Sequence, residues 1–136
     1  NKMAFATRNI RDTVVAAGGQ GGTSQHGTVV VHLDHSSDSA TSVALDASAL
    51  SGHANGAKLS IKRIWWGLAG SVELQFVGAS ADTHAIRLTG AGDYTGPAIA
   101  NNATNTGATS GDLESVAAAA TGFIIIELRK DASFTA

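Results

Sequence analysis

Apolar and polar residues alternate with a period of two through several short stretches of this chain. No apolar repeat of helical spacing lasts beyond about two turns. The first clear strand is 28–34, where Val29, Val31 and Leu33 point one way and Val30 and His32 the other. The polar run His35-Ser36-Ser37-Asp38-Ser39 closes it, and a weaker strand follows at 42–45. Residues 46–56 read as a loop with one short turn of helix at most. Lys58 to Lys62 alternates cleanly, and Arg63-Ile64-Trp65-Trp66 then shifts the parity, which predicts a bulge near Lys62–Arg63. Gly67 to Gly70 reads as a turn, 71–77 as a strand pairing back, Gly78 to Asp82 as a second turn and 84–88 as a third strand, together a meander.

Gly90 to Pro97 is rich in turn residues, Ile99 opens a short edge strand, and 101–111 reads as a long surface loop. The Ala run within 116–120 favours helix but has room for one turn. The closing strand, 123–129, is apolar on both faces at its start, so it is expected to lie centrally, buried on both sides. Leu74, Phe76, Ile86, Leu88, Ile124, Ile126 and Leu128 are the expected core. Residues 1–25 alternate poorly, and Gly18-Gly19-Gln20-Gly21-Gly22 is costly to order, so this part reads as a flexible N-terminal arm. The fold expected is all-β: one antiparallel β-sandwich or jelly-roll-like domain over 26–136, preceded by that arm.

Composition narrows what such a domain does. The 136 residues contain no cysteine, which excludes disulfides and thiolate–zinc sites, and a chain of this length needs neither. Net charge is −2, and the basic stripe of a nucleic-acid binder is missing. The longest apolar run, Phe123-Ile124-Ile125-Ile126, is far short of a membrane span, and the sequence start is not read as a secretory signal. Only 15% of residues are charged, which points to a surface partly covered by a partner or to a neutral, Ser/Thr-rich wet one.

The candidate chemistry is thin. His32 and Asp34 project on one side of a strand and, with His35 beside them and His26, His53 or His84 as a third ligand, sketch a metal site. Their place before a Ser-rich turn accounts for them more simply, and no metal or cofactor is expected. Gly90-Ala91-Gly92 lacks the spacing and the following helix of a phosphate loop. Asp82, Asp93, Asp112 and Glu114 all fall in turn-like segments, where Asp bonds nearby amides. No Gly-x-Ser-x-Gly context supports a nucleophilic serine, and Asn102-Ala103-Thr104 fits a glycosylation sequon without a secretion signal. The chain is therefore expected not to be an enzyme.

Trp65-Trp66 is the most distinctive pair. Neighbouring strand residues face opposite sides, so one Trp can enter the core while the other meets a loop, another subunit or a sugar. Trp65 and Trp66, with Arg8 and Arg11 on the arm, are the candidate interface residues, the arginines being placed to pair with acidic groups of a partner.

From Ile61 onward the chain carries Ile61-Lys62-Arg63-Ile64-Trp65-Trp66, Val72-Glu73-Leu74-Gln75-Phe76, Ile86-Arg87-Leu88-Thr89-Gly90-Ala91-Gly92-Asp93-Tyr94, the Thr-Gly-Ala-Thr-Ser-Gly-Asp stretch at 106–112, and the ending Phe123-Ile124-Ile125-Ile126-Glu127-Leu128-Arg129-Lys130. In these residues it resembles small virion proteins of tailed bacteriophages. The Ala-rich 113–121 segment departs from that pattern, and the first 57 residues lie outside it. The resemblance implies a capsid decoration or cement protein on the virion surface. Its partner would be the major capsid protein, and it would form a homo-oligomer, by preference a trimer, with synthesis in the host cytoplasm. A tail or fibre module that binds a host-surface glycan is the alternative.

Overall fold

A computed structural model describes residues 4–13 and 27–131. The strands are β1 (Phe5–Asp12), β2 (Thr28–Asp38), β3 (Thr41–Leu45), β4 (Leu59–Phe76), β5 (Thr83–Tyr94) and β6 (Leu113–Lys130), and a single 3-10 turn spans Ala47–Ala49. All pair antiparallel in one sheet of order β1-β2-β6-β4-β5, and β3 pairs with β6. β6 is central: β4 runs along one side of it, while β2 and then β3 share the other. The all-β antiparallel class read from the alternation holds. The described strands form one sheet rather than the two separate sheets of a sandwich.

β4 and β6 are each 18 residues long and stay paired from end to end. Their middles are built of small residues, and there the register jumps between Ala69 and Ser71. Gly70 has φ +80°, Ala119 φ +49° and Gly122 φ +140°. A Cβ on Gly70 would lie 2.2 Å from the Ala119 carbonyl oxygen, and one on Gly122 2.0 Å from that of Gly67. Two backbones can approach so closely only without side chains between them, so the paired strands bend together at this point.

The inner side of the bend holds one continuous core. Val29, Val31 and Leu33 of β2 meet Ile61, Ile64, Val72, Leu74 and Phe76 of β4, Leu88 of β5 and Ile124, Ile126 and Leu128 of β6. Six of the seven expected core residues are buried; Ile86 is half-buried against the cluster. Lys130 closes one end: its fully buried ammonium donates to Asp12 Oδ1 at 2.5 Å and to the Ser51 carbonyl at 2.9 Å.

Several local expectations need correction. Gly67 to Gly70 does not reverse the chain, because its glycines form a bulge facing the small residues of β6, and β4 continues through the bend as one strand. The Ala run is strand, since β6 there has β4 on one side and, up to Val116, β3 on the other to satisfy its backbone. β5 continues through the glycines to Tyr94, and the Ile99 strand shrinks to a single bridge with Ile61. The bulge expected near Lys62–Arg63 is present as a register jump between Ile61 and Arg63. Residues 5–12, read as arm, form β1 and pair with β2. Gly18 to Gly22 lie outside the described residues.

Candidate interaction face

Strand register sets the arrangement on the side of the sheet opposite the core. Across five strands, Arg8 (β1) pairs with His32 (β2), His32 with Ile125 (β6), Ile125 with Trp65 (β4), and Trp65 with Asp93 (β5). Cross-strand partners share a face, so these five side chains form one row. One row over come Arg11, Val30, Glu127 and Arg63; on the other side come Ala6, Asp34, Phe123, Gly67 and Ala91. Val30, Ile125 and Trp65 are half-buried, and Phe123 is 40% exposed. The centre of this outer face is therefore an open apolar patch.

Charges rim the patch unevenly. Arg8 and Arg11, both exposed, stand on the β1 edge, while Asp93 stands on the β5 edge. Arg63 reaches Asp93 at 3.6 Å and lays its guanidinium 4.7 Å from the centre of the Trp65 ring. This cation–π contact occupies one side of the indole. Phe123 lies over Gly67, whose missing side chain makes room for the ring: a Cβ there would sit 3.0 Å from Phe123 Cε1.

Three of the four expected interface residues, Arg8, Arg11 and Trp65, thus come together on one face. Trp66 does not: it turns inward against the core, donates its indole N–H to the Thr89 carbonyl at 2.9 Å, and packs over Gly92. The split of the Trp pair follows the strand parity read in the sequence. Phe123, Ile125, Arg63 and Asp93 went unread as parts of the surface. The signal was the second apolar face of the last strand, taken as buried; the strand is central, but that face is open.

The other candidates scatter. His32 and Asp34 do share the outer face, whereas His35 is buried on the inner one, where Nε2 meets the Ser115 hydroxyl at 2.8 Å. His53 contacts the Ser110 carbonyl and His84 the Glu73 carboxylate, and His26 lies outside the described residues. Among the described residues no three His, Asp or Glu side chains gather as a metal site, and no helix is long and apolar enough to cross a membrane.

Asp82 and Glu114 form a carboxylate pair. The hydrogen bond to Asp82, then burial, pushes the Glu114 carboxyl up to about 7. Burial first raises Asp112 to about 6, against a lowering hydrogen bond from the Ala47 amide. Glu73 is held low, chiefly by its hydrogen bond with His84. Asn102 of the sequon accepts from Thr83 and helps line a cavity of about 330 Å³ with Ala79, Ala81 and Thr104. Comparison with family models, curated proteins and solved structures finds no match to this chain.

Proposed function

We propose that this domain is a structural virion protein of a tailed bacteriophage, a capsid decoration protein that works by binding protein surfaces rather than by catalysis. The observation that carries the binding part is the outer-face row with Trp65 and Ile125 at its centre and Arg8 and Asp93 at its ends. Aromatic and arginine side chains around an apolar centre are the usual makings of a protein–protein hot spot. The phage part rests on the sequence resemblance. A rigid β-domain of this size suits cross-bridging of shell subunits, where many weak, repeated contacts add through avidity.

The glycan-binding alternative is weaker at this face. A sugar stacks on an open indole, and Arg63 already lies over Trp65. The test is co-sedimentation of the purified protein with assembled phage heads, alongside a glycan-binding screen. Binding to heads that weakens sharply in a folded Trp65→Ala variant supports the proposal. Failure to bind heads at micromolar concentration, or selective glycan binding, removes it.

A further inference from the structure

We infer that the partner on the outer face is a second copy of this chain, packed face to face about a two-fold axis that runs along β6. The inference rests on reading that face as a protein–protein surface, and it names the occupant. The argument is the order of side chains in the central row. β6 is the third of the five strands, with Ile125 at the middle of the row. Rotation about an axis parallel to β6 lays β1 of one copy over β5 of the other, and β2 over β4. Arg8 then faces Asp93, His32 faces Trp65, and Ile125 faces Ile125. Phe123, on the same strand, faces its own counterpart.

Every element of the row thus finds a suitable partner in its own copy: cation to anion at both ends, imidazole to indole, and apolar to apolar at the axis. An axis across the strands instead would set Arg8 on Arg8, a like-charge contact. Self-complementarity of this kind is what an isologous interface requires, and it favours two-fold over the three-fold arrangement implied by the resemblance. The two Glu127 side chains also approach the axis, a like-charge contact that the two Arg8–Asp93 pairs and the apolar centre must outweigh.

Size sets the strength. Four strand spacings of about 4.8 Å and the four residue steps of about 3.3 Å from Phe123 to Glu127 outline a patch of roughly 19 by 13 Å. That is smaller than most specific interfaces, so the dimer is weak and forms at tens of micromolar, or wherever copies are concentrated on a shell.

The intact chain offers a clean test because it contains no cysteine. Sedimentation of the full protein without phage heads should show a dimer at tens of micromolar. Ile125→Cys should be joined to its own copy by a short bis-maleimide linker, while Val43→Cys, exposed on β3, should remain monomeric under the same treatment. Arg8→Asp should raise the dimer dissociation constant at least about tenfold, Asp93→Arg likewise, and the double reversal should recover most of the loss. A chain that stays monomeric at these concentrations overturns the inference. So does equal cross-linking at Ile125 and Val43, or a double reversal no better than either single change. A monomer that still co-sediments with heads defeats the dimer alone, whereas a dimer that ignores heads defeats the decoration role alone.

Discussion

His35 and Ser115 share a 2.8 Å hydrogen bond although the cross-strand neighbour of His35 is Gly122, seven residues further along β6. In a straight strand that separation is about 23 Å. The contact is therefore a direct consequence of the bend at Ala118–Gly122, which folds the first third of β6 back over β2. His35 and Ser115 are fully buried where the two arms of the bend meet, with Asp38 beside them.

The first prediction concerns the protonation of that site. Burial chiefly lowers the His35 pKa below its usual 6.5, outweighing the nearby Asp38 and Asp34 charges. Below pH 6.5 the unfolded chain takes up a proton that the folded His35 resists, so this residue withdraws stability as pH falls. Glu114 and Asp112 act in the opposite sense. Their folded values of about 7 and about 6 exceed the unfolded ones, so the stability they contribute is present near pH 4 and lost as pH rises through 6 and 7. Thermal melts of Glu114→Gln against the parent chain should show the variant more stable at pH 8 and the advantage gone by pH 5. In an Asp112→Asn, Glu114→Gln background the melting temperature should fall between pH 6.5 and 5, unmasking His35. A flat profile there means that His35 is protonated in the fold.

The second prediction concerns the bend. Gly122→Ala places a Cβ at 2.0 Å from the Gly67 oxygen at φ +140°, and Gly70→Ala meets the Ala119 oxygen at 2.2 Å. Backbone strain alone is worth about 1–3 kcal/mol at such positions, and the clash adds to it. Both variants should unfold at markedly lower denaturant than Gly90→Ala, which also has positive φ but open space around it. Equal loss in all three would show that φ matters and the close approach does not.

These two sites show what was legible in the sequence. The faces of single strands were readable: period-two alternation placed Leu74, Phe76, Leu88, Ile124, Ile126 and Leu128 in the core and separated Trp65 from Trp66. The bend was not readable, because Gly67 to Gly70 and the 117–122 stretch look like a turn and a helical turn when taken alone. They become a bulge only when set opposite each other, which is a long-range fact. The same limit hid the outer-face row. Arg8, His32, Ile125, Trp65 and Asp93 are spread over the chain from position 8 to position 125, and only the register of four ladders aligns them. β1 was misread because an exposed edge strand carries no apolar alternation.

The third prediction tests the core directly. Ile126 is fully buried on the central strand, between Val31 and Ile64 in register. Ile126→Ala should cost about 2–5 kcal/mol in chemical denaturation. Ile86→Ala, at a half-buried position near an edge, should cost clearly less. A reversal of that order would mean the face assignment of β5 is wrong.

The fourth prediction separates the two tryptophans. Trp66 packs on the core and donates to the Thr89 carbonyl, so Trp66→Ala leaves a void and an acceptor without its donor. Large aromatic truncations cost about 3–5 kcal/mol when fully buried, and this half-buried residue should lose about 2 kcal/mol or more. Trp65→Ala removes the contact with Arg63, worth about 0.5–1 kcal/mol, and the partial packing of a half-buried ring, but opens no void in the core, so it should lower the melting temperature less than Trp66→Ala. Association should respond in the reverse order. The Trp65 variant should lose binding to its own copy and, with the dimer's avidity gone, bind phage heads more weakly, while remaining folded by circular dichroism. A Trp66 variant that still folds should keep both, because its side chain never reaches the outer face. Stability and binding that fall together in both variants would show that the two tryptophans act as one structural unit, and the outer face would lose its standing as a separate interaction surface.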